Sequence, residues 1–194
     1  MTHETIDARL TETVLDETLV YDGSLLKVRR MTVRLPDGRQ AHRETIRHPG
    51  ASAIVTLDAD GRIVLERQWR APAGGAFWEV PAGKIDPGED PLETARRELI
   101  EEAGVSAARW THLGTIHNAI GYSDEHIEIY LARDLTPCQQ RLDENEFLTL
   151  VSVPMQEAFE MTRNGAITDV KTLIGLGWLR DYLDGSLSQA KEMA

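Results

Sequence analysis

The chain has 194 residues, a formal net charge of −11 and a hydrophobic fraction of 41 %. That apolar content supports a packed core and excludes a disordered chain, and the length suits one domain with a small N-terminal addition. The acidic balance argues against nucleic acid or an anionic membrane as the main partner, yet admits a small anion if a cation mediates the contact.

The N-terminal stretch "MTHETIDARLTETVLDE" carries charges throughout and has no apolar segment of the kind a signal peptide needs. No run approaches the ~18 apolar residues of a membrane span. Cys138 is the only cysteine, so no internal disulfide forms and a reducing compartment is expected. A lone thiol is ordinarily inert. Together these features predict a cytoplasmic protein.

Residues 13–48 read as strands: β-branched residues alternate around a "YDGS" turn and a "PDGR" turn. Next, "ASAIVTLDADGRIVLERQW" has two apolar runs about a "DADG" turn and predicts a buried hairpin. "FWEVPAGKI" predicts a short strand entering a glycine-containing loop. "DPGEDPLETARRELIEEAGV" is the clearest helix: Asp90 suits the N-cap, Pro91 the first helical position, and Glu93 lies three residues after the cap. Leu92, Ala95, Leu99 and Ala103 form its apolar stripe, and Gly104 is a natural stop. Strands near 110–117 and 125–133 follow, then a polar loop "CQQRLDENEF", a strand "LTLVSV", and helices starting near Pro154 and Thr168. Strands and helices in this order predict an α/β fold in which a mixed sheet is covered by helices.

The helix poses an electrostatic problem. Glu98 lies three residues from Glu101 and four from Glu102, so like charges share one face at a cost of roughly 0.2–0.5 kcal/mol per pair. A solvated acidic face is one reading. The other is a hard-cation site, since Mg²⁺ prefers carboxylates together with substrate phosphate oxygens, and a divalent ion turns an acidic cleft into an anion-binding one.

The spacing around these acids decides between the two. From Gly83 the chain reads Gly, five residues, Glu89, seven residues, Arg97-Glu98-Leu99, one residue, Glu101-Glu102, one residue, Gly104-Val105. This stretch resembles the Nudix box at all nine specified positions over 23 residues. The resemblance implies a Nudix-type α/β/α sandwich over residues 49–194, with residues 1–48 as a β-rich extension serving dimerisation or as a substrate lid. It implies a hydrolase of nucleoside diphosphates linked to another moiety, using Mg²⁺ or Mn²⁺, with two or more ions per site. Glu98 and Glu102 are then the main carboxylate ligands, with Glu101 assisting, and the carbonyl of Ala82 is a further ligand. Arg97 orients the glutamates.

The flanks narrow the resemblance. "LERQWRAPAGGAFWEVPAGKID" is similar to the ADP-ribose pyrophosphatase subgroup and places Arg70 as a phosphate contact, a role that a strand-end guanidinium suits, with a structural ion pair as the alternative and with Lys84 helping to seat the anion. "HRETIRHPGA" loosely places Arg43, Glu44 and Arg47 where such enzymes contact the nucleotide, a plain charged strand edge being the alternative. "NAIGYSDE" aligns with a substrate loop in which Gly121 and Glu125 match, but Ile120 stands where the subgroup carries a marker proline. "LDENEF" matches a mobile loop that supplies the catalytic base, here Glu144, and another metal ligand, here Glu146. Carboxylates on two segments suit multi-metal phosphate chemistry.

His112, His117 and His126 have no metal-ligand spacing and are assigned to packing. Trp69, Phe77, Trp78 and Tyr122 are expected in the core rather than on a base, as is Trp178. The implied reaction is metal-dependent cleavage of ADP-ribose or a related ADP-sugar to AMP and a sugar phosphate. Cleavage of GDP-mannose or another nucleotide sugar is the alternative within the class. A non-catalytic nucleotide-sugar-binding module is the alternative outside it, disfavoured because every box glutamate is kept. The resemblance further implies a homodimer, in which residues 13–48 cross over and complete the neighbour's base pocket. No nucleic-acid or membrane partner is expected.

Overall fold

The computed structural model describes residues 3–24, 26–142, 144 and 146–193. It forms two compact units, one of residues 1–48 with 119–125 and one of residues 49–118 with 126–194.

In the first unit a short helix α1 (His3–Leu10), which local sequence signals had not suggested, precedes three strands: β1 (Thr13–Asp22), β2 (Lys27–Arg34) and β3 (Gln40–Ile46). They form an antiparallel meander, with β2 in the middle. The loop 119–125 is stitched to the end of β3: the Ile46 amide donates to the Tyr122 carbonyl at 2.7 Å, and the His48 amide to the Asp124 carboxylate at 2.8 Å.

The second unit holds β4 (Ala51–Leu57), β5 (Arg62–Arg70), β6 (Gly75–Glu79), β7 (Ala82–Lys84), α2 (Pro91–Ala103), β8 (Val105–His117), β9 (His126–Pro137), β10 (Leu148–Pro154), α3 (Met155–Arg163), α4 (Val170–Leu183) and β11 (Lys191–Glu192). A mixed sheet runs β11-β8-β9-β4-β7, with β4 and β9 parallel, and a smaller antiparallel sheet runs β10-β5-β6. Strand β4 is buried on both faces, as a central strand with a near-continuous apolar run should be. Ile54 points to the α2 side, with Leu92, Leu99, Trp110 and Tyr130. Ala53 and Val55 point to the α3 and α4 side, with Ile129, Phe159 and Leu176. The result is the expected helix–sheet–helix sandwich. Each buried Leu of α2 contributes about 1.5–3 kcal/mol of transfer free energy.

The hairpin expected from "ASAIVTLDADGRIVLERQW" does not form. The two strands begin as one, with the Asp58 amide donating to the Arg62 carbonyl at 3.0 Å. They then part because the Val64 amide turns to the hydroxyl of Thr56 (2.8 Å) instead of a ladder carbonyl. Strand β4 joins the large sheet and β5 the small one. Among the described residues no helix is long and apolar enough to cross a membrane.

Candidate active site

Helix α2 forms where its caps predict. The Asp90 carboxylate accepts from the Leu92 amide at 2.9 Å, and Gly104 closes the helix in the left-handed region at φ 62°. Ser52 of β4 donates to the Pro91 carbonyl at 2.7 Å and ties the helix start to the central sheet. The apolar stripe therefore faces the core, and Glu98, Glu101 and Glu102 are held at its edge.

Arg97 organises this edge. Its Nε and Nη2 donate to both oxygens of Glu89, at 3.0 and 2.9 Å, while Nη1 reaches Glu98 at 2.6 Å and Glu101 at 3.1 Å. A planar guanidinium is the side chain able to bridge acids in this way. Glu89 also accepts from the Thr94 hydroxyl at 2.7 Å, and the Arg97 and Thr94 bonds bring its pKa down to about 2. Arg97 thus touches Glu89, Glu98 and Glu101, two of them among the glutamates it is expected to orient.

Strand β7 lies against the same helix face. A Cβ on Gly83 would stand 1.9 Å from Oε1 of Glu98, so the close approach of backbone to carboxylate requires glycine there. The Ala82 amide donates to Glu102 at 2.8 Å. Lys84 is exposed, and its carbonyl accepts from Arg97 at 3.3 Å.

Burial sets the electrostatics. Glu102 is 3 % exposed, and desolvation, followed by the charges of Glu66 and Glu98, pushes its pKa up to about 10. Desolvation likewise raises Glu98, against the opposing pull of Arg97. Glu66, on β5, is fully buried; desolvation, aided by Glu79 and Glu146, lifts it to about 8. Neither of its carboxylate oxygens has a hydrogen-bond partner among the described residues.

The loop expected to carry the base and the extra ligand starts from a fixed point. The segment before it is zipped to the end of α2: the Cys138 amide donates to the Gly104 carbonyl, the Arg141 amide to the Glu101 carbonyl, and the Gln140 side chain to the Glu102 carbonyl. Glu146 then accepts from Gln68 at 3.4 Å, and its charge acts on Glu66, Glu98 and Glu102. Glu144 is exposed in a turn.

Arg70 does not stand free for a phosphate. It makes a two-pronged ion pair with buried Glu79, at 2.8 Å for each bond. Lys171 also bonds Glu79, and Asp169 at 3.1 Å. Burial raises the Glu79 pKa, but these two cations outweigh it and bring the group to about 2.

In the first unit, Arg43 and Arg47 line a cavity of about 310 Å³ together with Ile120, Gly121 and Tyr122. Arg47 pairs with Asp124 at 2.9 Å and Glu17 at 3.2 Å, and Arg43 pairs with Glu12. Glu44 is not brought there: strand alternation turns it to Arg30, at 3.6 Å. Glu125 sits 3.8 Å from His48 instead of lining the cavity.

Trp69 and Tyr122 are not in the core; they are 64 % and 60 % exposed. Trp78 is half-buried with Arg67 stacked 5.0 Å from its ring centre. His112 bonds Glu128 at 2.6 Å, and the rings of His117 and His126 lie 6.4 Å apart, tilted by 44°.

Among the described residues, no three acidic, histidine or cysteine side chains already converge into a chelating group. The donors nevertheless fit a divalent cation. They are all oxygens, Glu66 has no hydrogen-bond partner among the described residues, and the burial that raises Glu66, Glu98 and Glu102, with the carboxylate charges beside each, is what a bound cation offsets.

A family profile described as NUDIX domain matches residues 46–173. The chain is 31 % identical over 173 residues to an ADP-ribose pyrophosphatase of Bacillus subtilis (strain 168), covering 88 % of this chain and 94 % of that protein. It is 38 % identical over 168 residues to an ADP-ribose pyrophosphatase of Mycobacterium tuberculosis (strain ATCC 25618 / H37Rv), covering 85 % and 81 %. Among solved structures, the crystal structure of an ADP compounds hydrolase superposes with a TM-score of 0.80 at 26 % identity, covering 90 % of this chain and 95 % of that one.

Proposed function

We infer the reaction from one premise: the chain belongs to the NUDIX family. It is an enzyme of that family, a hydrolase of a small nucleotide-sugar substrate that uses divalent metal ions. We assign to it hydrolysis of the pyrophosphate bond of ADP-ribose or a related ADP-sugar, the compounds named for its relatives, giving AMP and a sugar phosphate. The observation that carries this reading is the desolvated acidic edge of α2, braced by Arg97 and pressed against Gly83.

Mg²⁺ or Mn²⁺, two or more ions per site, would be held by Glu98, Glu102, Glu146 and the Ala82 carbonyl, with Glu101 assisting. A divalent cation held there would supply positive charge against the diphosphate's anionic oxygens and would make a water more acidic. Arg97 keeps Glu98 and Glu101 aimed. Glu144 takes the proton from the water as its oxygen bonds to phosphorus and the bridging P–O bond breaks. Lys84, and Arg70 through the part of its guanidinium not bonded to Glu79, face the phosphates. Arg43, Arg47 and Gly121 are assigned to substrate binding, and within the first unit they line a cavity of about 310 Å³.

The test is a panel of ADP-, GDP- and UDP-sugars with products resolved by chromatography. ADP-ribose is expected to give the highest kcat/KM; a GDP-sugar in first place would move the assignment to the alternative left open by Ile120.

The same reading places the protein in the cytoplasm as a homodimer through residues 1–48. Val14, Leu15, Leu19, Val20 and Tyr21 of β1 are exposed apolar side chains that a second copy would cover. Analytical ultracentrifugation is expected to give twice the 21.7 kDa chain mass. A monomer at micromolar concentration would remove this part.

A further inference from the structure

The roles assigned above leave one buried carboxylate unused. Glu66 lies in the middle of β5, where successive side chains alternate between faces, so it shares a face with Val64, Gln68 and Arg70. Val64 packs on the apolar cluster of α2, and Gln68 bonds Glu146. Glu66 therefore sits between the helix that carries Glu102 and the loop residue Glu146, and it is the charged neighbour that acts most strongly on Glu102.

Its surroundings do not satisfy it. Lys171 and Arg70 act on it by charge but donate their hydrogen bonds elsewhere, Arg70 to Glu79 and Lys171 to Glu79 and Asp169. Both Glu66 oxygens are without a partner among the described residues, and the residue is completely enclosed. A buried carboxylate left in this state destabilises a fold, so a purely structural role gives no reason for an acid here. An oxygen donor awaiting a cation does.

We propose that Glu66 is a further ligand for the divalent cation, a strand-borne carboxylate completing the set formed by Glu98 and Glu102 of α2 and Glu146 of the loop. This rests on the metal-dependent reading above. It places one donor on the sheet, where the backbone is rigid, opposite the donors on the helix. It also accounts for how one cation site can draw on a helix, a loop and a strand while Arg97 neutralises only the outer acids.

The test is a Mn²⁺ titration of the full chain without nucleotide, followed by the electron paramagnetic resonance of free Mn²⁺, on the wild type, Glu66→Gln and Glu66→Val. Both variants are expected to bind at least about tenfold more weakly or to lose one equivalent of Mn²⁺. Their Tm in chelator is expected to equal or exceed that of the wild type, since an unsatisfied carboxylate has been removed. A wild-type isotherm in either variant would overturn the proposal. So would a lower chelator Tm in both, which would make Glu66 a determinant of the fold. A wild-type chain that binds no Mn²⁺ would instead overturn the metal-dependent reading itself.

Discussion

Glu102→Gln is expected to lower turnover about a thousandfold while leaving the cation-free fold intact. The loss corresponds to about 4 kcal/mol of transition-state stabilisation, the scale of removing one ligand from a metal that carries the charge of phosphoryl transfer. The fold survives because Glu102 is held above pH 7 as the neutral acid by desolvation and by Glu66 and Glu98, and Gln reproduces the shape and the acceptor that the Ala82 amide uses.

The pH dependence separates this effect from simple damage. A carboxyl with a folded pKa of about 10 and an unfolded value of 4.5 binds a proton in the folded state that the unfolded state has released. Its contribution to stability is therefore full below about pH 4.5 and is lost as pH rises through the folded pKa, at up to about 1.4 kcal/mol per pH unit per proton. Tm measured in chelator from pH 5 to 9 should fall less steeply in Glu102→Gln than in the wild type. Equal slopes, or full turnover in the variant, would remove Glu102 from the site.

Glu144→Gln is expected to lower kcat by about 10²–10⁴, the range for loss of a general base, with KM and Tm unchanged. Glu144 is exposed in its turn. An exposed side chain without a packing role can be changed without disturbing the fold. Steady-state kinetics together with nucleotide binding by the variant make the check. Unchanged turnover would take the base role from Glu144.

The parts of the fold legible in the sequence were those set by local chemistry. Asp90, Pro91 and Gly104 bound α2 through bonds made within a few residues, so the helix and its acidic edge could be placed to the residue. The family resemblance, rather than spacing, gave Arg97 its role; helical spacing offered only Glu93 or Glu101 as partners, and the bonds to Glu89 and Glu98 come from the packing. What distant partners decide was less readable. A hairpin and a pair of strands in different sheets differ here by whether Val64 bonds a carbonyl or the Thr56 hydroxyl, which no local pattern reveals. β11 exists only because Lys191 and Glu192 find His112 and Thr111. Trp69 has the composition of a core residue but lies at the end of β5, where it is left exposed.

Glu66 is the most instructive omission. The run "RIVLER" announces a buried strand, and an acid inside such a run is itself a signal, because an unpaired carboxylate is costly to enclose. Which residues it meets depends on the packing of β5 against α2 and the loop before β10, and that information is tertiary. Arg70 shows the converse. Its placement at a strand end suited phosphate, yet the nearest strong acceptor is Glu79 on the neighbouring strand, so most of its hydrogen-bonding capacity is used within the protein.

The most direct test of a cation-bridged acid cluster acting on a diphosphate is chromatographic identification of the products from ADP-ribose, with Mg²⁺ present and with excess chelator. The account predicts AMP and ribose 5-phosphate in equal amounts with Mg²⁺ and neither in chelator. The same products at the same rate in chelator would contradict it.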